Sequence, residues 1–493
     1  MFKVNKLELI KHDFFQPQTF QLSDQDSISD FYITLAIGSN GTGKSQLLSI
    51  IIKIFNMTAS AKIKGVKTCK FDCDFLLEYE INGNLIKIEN RGRKTTFLMN
   101  NNLVELSEIL LPNKILAASI NLNDRYPFPT KRNKPEQYEY LGIRTASNNA
   151  FVNNNLLIDR ITQSIASDAS LARYRKIFEL LGLEENISIR YKKGRNMPRD
   201  LAELQKYLVD ADSLFEYLSE KIEHLGDKFS IRKSKILRTI NNKESLHSIV
   251  IFLKNCFNNM SGKRYSTIYE HKFSLSSTAE EESSTAFHTL RLIRDLELLS
   301  IDKLILHKNG GKYTLDQASS GEYHMLSSLI GMVATIENDS IVFIDEPEIS
   351  LHPNWQIRYI ELIKSIFKDL DGCHFIISTH SHFLATDLPP NKSSIICLKH
   401  NENGFVYNDT IQFNPYGWGA EQILYKVFGV ATTHNFHLEM DLRKLLHSIS
   451  NNLNNYSEIR AITESLQSFR LTKDDPLLKI INAATEYLKK HDN

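Results

Sequence analysis

The chain has 493 residues, of which 42% are hydrophobic and 24% charged, a composition typical of a soluble globular protein with two or three structural units. Its 59 basic and 58 acidic residues nearly cancel, so any contact with nucleic acid would require a local basic patch. Five scattered cysteines argue against a disulfide framework, and neither a signal peptide nor a membrane-spanning apolar run occurs. We therefore expect a cytoplasmic protein that does not enter a membrane.

Changes in residue pattern along the chain predict four regions. Up to residue 130, short apolar runs alternate with polar turns, and residues 75–81 and 85–88 flank an Asn-Gly-Asn turn that predicts a hairpin. Leucines at three- and four-residue steps predict a mainly helical insertion over 131–300. Strands and helices alternate again over 301–407, and we expect a helical extension over 408–493.

The first motif with chemical meaning is Gly-Ser-Asn-Gly-Thr-Gly-Lys-Ser, between an apolar run and a helical run, as a phosphate-binding loop requires. Glycines let the backbone N–H groups and the helix N-terminus face phosphate oxygens. The alternative is a glycine-rich turn that matches by chance. We expect the motif to bind ATP, with Lys44 at the β- and γ-phosphates and the Ser45 hydroxyl on Mg²⁺, through Gly38, Ser39, Asn40, Gly41, Thr42, Gly43, Lys44 and Ser45.

A second motif is an apolar run over 340–344 that ends in Asp345, Glu346 and Pro347. Such a run predicts a buried parallel strand whose carboxyl end opens on a site. Asp345 is placed to hold magnesium, and Glu346 could activate the attacking water as general base. The alternative is an acidic turn after a core strand. The presence of a phosphate-binding loop in the same chain argues against that alternative.

A third motif, Ser319-Ser320-Gly321-Glu322, precedes these acids and opens an apolar helix. It resembles the signature motif of ATP-binding-cassette (ABC) ATPases, in the form found in the RecF/SMC branch. A small-residue turn at a helix N-terminus can bind an anion, and in that family it meets the γ-phosphate held by the opposite subunit. A simple helix N-cap is the alternative, and the two roles are compatible.

Two further elements extend the resemblance. Residues 349–353 follow the acids as the D-loop of that family does, and the strand over 375–379 ends at His380, which matches the switch histidine that touches the γ-phosphate. His380 and His382 could instead form a metal pair. The resemblance implies an α/β fold: an ABC-type ATPase head with a mixed sheet around a phosphate-loop core, a large helical insertion and a helical C-terminal extension.

The glutamine loop of the family is less clear. An apolar strand over 114–119 runs into a polar turn where that loop belongs, but no glutamine stands there. We expect Asn121 to be the magnesium-coordinating residue, with Asp124 as the second choice.

Segments 115–127, 138–144 and 419–430 resemble the group of bacterial defence ATPases related to the overcoming-lysogenization-defect (OLD) nucleases, most of all the Septu-type ATPase PtuA. That ATPase works with a separate HNH nuclease, PtuB, and also occurs with retrons. The resemblance implies an anti-phage switch subunit whose partners are a second copy of itself, in a dimer or a larger oligomer, and an HNH nuclease subunit. A retron reverse transcriptase with its RNA and DNA is a further candidate partner.

Two other functions stay open from the sequence. A RecF-like DNA-repair ATPase could use basic groups in the insertion, such as Arg190, Lys192 and Lys193 around Tyr191, to contact DNA. A self-contained OLD-like or PrrC-like nuclease would need a further site, but the tail is short for a TOPRIM domain and contains no D-x-D pair. An apolar stripe in the tail is the docking surface that we favour for a nuclease partner: Leu438, Leu442, Leu445, Leu446 and Ile449.

Overall fold

The computed structural model describes residues 1–24, 31–66, 69–92, 94–121, 124–128, 135–142, 144, 158, 161, 168–198, 201–223, 230–258, 269–275, 280–314, 317–401, 403–410, 436–451, 455–467 and 476–491. The chain divides into two compact units, Met1–Trp418 and Gly419–Asn493. None of the helices in these ranges is both long enough and apolar enough to cross a membrane.

The first part of the chain is rich in strands. It contains β1 (Phe2–Lys11), β2 (Gln18–Gln21), β3 (Phe31–Gly38), α1 (Lys44–Ile63), β4 (Asp74–Ile81), β5 (Asn84–Arg91), β6 (Lys94–Met99), β7 (Asn102–Val104) and β8 (Ile115–Ser119). The predicted hairpin is confirmed, since β4 and β5 pair antiparallel across the Asn82-Gly83 turn. Strands β2-β1-β4-β5-β6-β7 form a six-stranded antiparallel sheet in that order.

The middle of the chain alternates between helices and strands. It contains β9 (Tyr138–Tyr140), α2 (Asp168–Leu181), β10 (Asn186–Lys193), α3 (Leu201–Tyr207), α4 (Ala211–Glu223), α5 (Ser230–Ile240), α6 (Lys243–Asn258), β11 (Tyr269–Ser274), α7 (Glu280–Asp295) and β12 (Leu299–Lys308).

The last part of the first unit carries β13 (Gly311–Thr314), α8 (Ser320–Thr335), β14 (Ile341–Asp345), α9 (Pro353–Phe367), β15 (Cys373–Thr379), α10 (His382–Ala385), β16 (Ser393–His400) and β17 (Val406–Thr410). The second unit carries α11 (Phe436–Ser450), α12 (Tyr456–Gln467) and α13 (Pro476–His491).

The central sheet has seven strands in the order β17-β16-β3-β15-β14-β8-β9. All neighbours except β16 and β17 are parallel. Because parallel strands end at the same edge, register determines what meets there. Asp345 pairs with both Ser378 of β15 and Ser119 of β8, so the polar ends of β14, β15 and β8 lie side by side. The predicted α/β class with a mixed sheet is confirmed.

The main core lies between this sheet, helix α1 and the six-stranded sheet. Helix α1 buries apolar side chains along most of its length and packs on β15, β14, β8 and β3. Phe2, Leu7 and Leu9 of β1 and Phe343 of β14 belong to the same cluster of buried residues. Burial of this apolar surface keeps the start of α1 in place at the carboxyl edge of the sheet.

The segment predicted as a mainly helical insertion holds helices α2 to α7 and, in addition, strands. Strands β11-β10-β12-β13 form a four-stranded antiparallel sheet. In β10, Ile187, Ile189 and Tyr191 are buried, as is Ser188, while Arg190 and Lys192 are more exposed. Helix α2 packs against both α8 and α9.

The three helices that the structure describes in the second unit share an apolar core. Within the predicted docking stripe, Leu445 is fully buried in that core, and Leu442 and Ile449 pack against it. Leu446 is 48% exposed. Of the stripe, the side chain of Leu438 lies outside the described residues. The prediction of an apolar docking stripe is therefore wrong for most of its members, because these side chains hold α11 on α12 and α13.

Candidate nucleotide site at the carboxyl edge of the central sheet

The phosphate-binding loop connects β3 to α1 and ends on Gly43, which takes φ +85° at the N-cap of the helix. No side chain caps this helix, so its first N–H groups are available to an anion. Thr42 is fully buried and its hydroxyl donates to the Ser39 carbonyl at 2.9 Å, which closes the loop on itself. Gly38 ends β3, and Asn40 and Gly41 lie in the turn between β3 and α1.

Lys44 is only 4% exposed and points back over this loop. Its Nζ donates to the carbonyls of Gly38 at 3.0 Å and Ser39 at 3.2 Å. The same Nζ lies 2.8 Å from Nε2 of His380. The ammonium group is therefore held where the loop would place phosphate oxygens, in contact with the end of β15.

Asp345 ends β14 and faces the start of α1. Its Oδ1 accepts hydrogen bonds from the Ser45 hydroxyl at 2.9 Å and from the Ser378 hydroxyl. A buried carboxylate beside a hydroxyl supplies the hard oxygen ligands that Mg²⁺ prefers, so the residues present fit a magnesium ion. Ser45 and Asp345 are the two groups that would hold it.

Glu346 follows Asp345 and takes φ +51°, a left-handed conformation that turns the chain away from the sheet. Its Oε1 lies 3.3 Å from Nε2 of His380. Since β15 lies between β3 and β14, His380 at its end reaches both the lysine of the loop and the glutamate of the acidic motif. Lys44, Ser45, Asp345, Glu346 and His380 thus converge, although their sequence positions span most of the first unit.

Burial changes the ionisation of this cluster. It lowers the pKa of Lys44 to about 8, against the opposing effect of Glu346, Asp345 and Glu348. It raises the pKa of Asp345 to about 6, although hydrogen bonds from serine hydroxyls lower it. The pKa of Glu346 is lowered, mainly by its hydrogen bond with His380. Glu346 therefore stays ionised and is suited to accept a proton. The ammonium form of Lys44, whose pKa is near neutrality, is suited to bind phosphate.

The signature turn is a capping box at the start of α8. The Ser319 hydroxyl accepts from Glu322 N at 3.2 Å, and Ser319 N donates to Glu322 Oε2 at 3.1 Å. Ser319 and Ser320 are exposed. Lys308 and Tyr313 also donate to the Glu322 carboxylate, at 3.1 and 2.9 Å. Burial alone would raise the pKa of Glu322, but these hydrogen bonds hold it at about 2. Glu322 therefore shapes the turn, and its predicted contact with nucleotide stays a prediction.

Gly321 of this turn lies against the segment after β14. A Cβ at Gly321 would come within 2.2 Å of the Ser350 carbonyl oxygen, a distance that no side chain tolerates. Ser350 itself takes φ +67°. The absence of a side chain at Gly321 thus brings the signature turn and the predicted D-loop of the same chain into contact.

At the predicted glutamine loop, Asn121 N donates to the Ser119 hydroxyl at 3.1 Å, directly after β8. The Asp124 carboxylate accepts from the Tyr140 hydroxyl at 2.5 Å and forms an ion pair with Arg144. Those contacts hold Asp124 in the fold, and the role of Asn121 as a magnesium ligand stays a prediction.

Phe14 is a site residue that no motif in the sequence indicated. Its ring lies over the phosphate loop, since a Cβ at Gly43 would meet it at 2.4 Å, and it is 44% exposed. His12 Nδ1 accepts from the backbone N–H of Phe14 at 3.0 Å and of Phe15 at 3.3 Å, which fixes the turn. An exposed aromatic ring at a phosphate loop offers a stacking surface for a base. Two adjacent aromatic residues after β1 were the only signal in the sequence.

The AAA_15 family, described as an AAA ATPase domain, matches residues 15–385, a span that contains all of these site residues except Phe14. The chain is a member of this ATPase family. A retron Vc95 probable ATPase from Vibrio cholerae serotype O1 biovar El Tor is 23% identical to this AAA_15 chain over 423 residues, which cover 79% of the chain and 73% of that protein. The Septu protein PtuA of Bacillus thuringiensis is 29% identical over 148 residues, which cover 27% of the chain and 36% of that protein. The predicted relationship to retron and Septu ATPases is therefore confirmed.

Two solved structures also align with the AAA_15 chain at 13% identity and over 83% of its length. One is the Smc head domain with an extended coiled coil bound to the C-terminal domain of ScpA, derived from Pyrococcus furiosus, with a TM-score of 0.35 and 97% of that chain covered. The other is the SMC head domain from Thermotoga maritima, with a TM-score of 0.33 and 100% of that chain covered.

The basic groups of the insertion are partly neutralised in the AAA_15 chain. Arg190 pairs with Glu270 at 3.2 Å and Lys192 with Asp302 at 3.7 Å. These acids weaken the case for a phosphate-tracking surface on β10. Segment 419–430, which carries part of the resemblance to defence ATPases, lies outside the described residues.

Proposed function

We propose that this AAA_15 chain is the ATP-hydrolysing switch subunit of an anti-phage defence system, that two copies close head to tail around ATP, and that this cycle controls an associated HNH nuclease. The observation that carries the hydrolytic part is the convergence of Lys44, Ser45, Asp345, Glu346 and His380 at one edge of the central sheet. The similarity to a retron ATPase and to PtuA supports the defence role.

Each site residue has a distinct task in the proposed reaction. The Lys44 ammonium and the N-terminus of α1 bind the β- and γ-phosphates. Glu346 takes a proton from the attacking water, and His380 contacts the γ-phosphate between Lys44 and Glu346. A magnesium ion held by Ser45 and Asp345 would neutralise phosphate charge.

The exposed signature turn supports the dimeric part of the proposal. Ser319 caps α8 and Ser320 begins it, and both are exposed, so they can reach nucleotide held by another copy. Lys44 and Glu346 of the same chain lie on other segments, at the start of α1 and after β14. If two copies close on ATP, the γ-phosphate held by one copy would become the ligand of the signature turn of the other. Hydrolysis would remove that ligand and let the heads separate.

A mixing experiment tests the composite sites. Ser320→Arg should leave ATP binding to a single head intact and abolish hydrolysis, and Lys44→Ala should abolish nucleotide binding. A mixed dimer of the two variants has one site with both defects and one site with neither, so ATPase activity should return on mixing. No recovery despite verified subunit exchange would argue against composite sites, or would require that both sites of the dimer act together.

The nuclease part is tested by cleavage assays. The pure chain with ATP and Mg²⁺ or Mn²⁺ should leave DNA and RNA intact, and cleavage should require an added HNH subunit. Cutting by the chain alone that persists in Glu346→Gln and through repeated purification would instead support the self-contained nuclease. DNA binding that weakens with salt and needs no nuclease would support the RecF-like alternative.

A further inference from the structure

A second glutamate follows the acidic motif, and the mechanism above gives it no task. Glu348 lies in the turn after β14, and its Oε1 accepts the backbone N–H of His380 at 2.5 Å. Its other oxygen, Oε2, is buried. One carboxylate oxygen is therefore committed to the backbone of the switch histidine.

The position of His380 explains why its N–H needs such an acceptor. Strand β15 ends at Thr379, so the N–H of His380 lies beyond the last residue of the strand. A buried donor without an acceptor is unfavourable, and Glu348 provides the acceptor from the neighbouring strand end. The contact ties the turn after β14 to the turn after β15.

This hydrogen bond between Glu348 and the backbone of His380 fixes the position of the His380 imidazole. Nε2 of His380 lies 2.8 Å from Lys44 Nζ and 3.3 Å from Glu346 Oε1, so a small shift of its backbone would break one contact or both. Ser381 is anchored separately, since its hydroxyl donates to the Gln356 side chain at 2.7 Å. Among the described residues, Glu348 is the one whose side chain accepts a hydrogen bond from the backbone of His380.

We propose that Glu348 is a positioning residue for ATP hydrolysis, which acts by holding the backbone of His380 so that the imidazole lies between Lys44 and Glu346. The inference rests on the proposed function, because it concerns hydrolysis at this site. It assigns no proton transfer to Glu348.

The test is a double-mutant cycle between Glu348 and His380, read as kcat and ATP affinity. Glu348→Ala should lower kcat about 10–100-fold, the size expected when a catalytic group is displaced by about 1 Å, and leave the Kd for ATP within about twofold. Glu348→Gln keeps an acceptor oxygen and should stay within about threefold of the wild-type rate. In a His380→Ala background, Glu348→Ala should cause no further loss beyond about twofold, because coupled residues are not additive.

Glu361→Ala, at an exposed position on α9, is the matched control and should change neither background. Melting curves establish that each variant is folded. Equal effects of Glu348→Ala with and without His380 would overturn the proposal, as would a Glu348→Gln variant as slow as the alanine variant. A wild-type protein without ATPase activity, or a Glu346→Gln variant with full activity, would instead overturn the proposed function, and the role of Glu348 with it.

Discussion

ATP binding should become weaker as the pH rises above 8, because Lys44 must be charged to hold phosphate. Burial lowers the pKa of this lysine to about 8 in the free protein. The negative charge of bound ATP favours the ammonium form, so the pKa rises in the complex. A group whose pKa is higher in the complex promotes binding below its free pKa, and that contribution is lost as the pH rises through 8.

The magnitude follows from the fraction of charged lysine. With a pKa of about 8, roughly nine-tenths of Lys44 is protonated at pH 7 and roughly one-tenth at pH 9. If only the charged form binds ATP, the Kd rises about tenfold between these values. At pH 8, binding should take up about half a proton per site.

Titration calorimetry in buffers with different ionisation enthalpies measures this proton uptake directly. Lys44→Arg is the matched control, since a guanidinium stays protonated throughout this range and should show no uptake from this position. Binding without proton uptake at pH 8 in the wild type, or equal uptake in Lys44→Arg, would refute the idea that a buried, partly neutral lysine limits binding.

Three further variants probe separate parts of the site. Glu346→Gln should bind ATP normally and lose about 10²–10⁴-fold in steady-state turnover, because an amide cannot accept the proton of water. Phe14→Ala should raise the Kd for ATP about fivefold or more in a fluorescence titration, as loss of stacking on a base costs about 1–3 kcal/mol. Gly321→Ala should fold but hydrolyse ATP at least about tenfold more slowly, since the added methyl group must displace the Ser350 carbonyl and with it the D-loop.

Each of these variants has a control and a contrary outcome. Phe14→Tyr retains a ring and should keep wild-type affinity; if it binds as weakly as Phe14→Ala, stacking is not the cause. Gly83→Ala, in the turn between β4 and β5, lies in open space but at φ +75°, so strain alone can be compared with the steric conflict at Gly321. Normal turnover in Glu346→Gln would place the general base elsewhere.

Much of the site could be predicted because three of its motifs follow strand ends: the phosphate-binding loop after β3, the acids at the end of β14 and His380 after β15. An apolar run that stops at a polar residue indicates a buried parallel strand, and the carboxyl ends of such strands meet at one edge. That reasoning places Lys44, Asp345, Glu346 and His380 together before any coordinates are known. It needs only local sequence patterns and the right-handed geometry of strand–helix–strand units.

The contacts that could not be predicted depend on close approach between distant segments. No periodic pattern in the sequence indicates three of these contacts. They join the Phe14 ring to Gly43, Gly321 to the Ser350 carbonyl, and the Glu348 carboxylate to the His380 backbone. The strands of the insertion were missed for a different reason, because leucine spacing elsewhere in that segment gives a strong helical pattern.

The hairpin of β12 and β13 has a consequence for regulation. Lys308 at the end of β12 and Tyr313 in β13 both donate hydrogen bonds to the Glu322 carboxylate. Strand β12 also pairs with β10 in the insertion. The insertion is thereby linked to the signature turn by side-chain hydrogen bonds, and α2 packs against α8 and α9. If the position of this turn is coupled to ATP binding, a molecule that binds the sheet and prefers one position of the turn must change ATP affinity, and ATP must change the affinity for that molecule by the same factor.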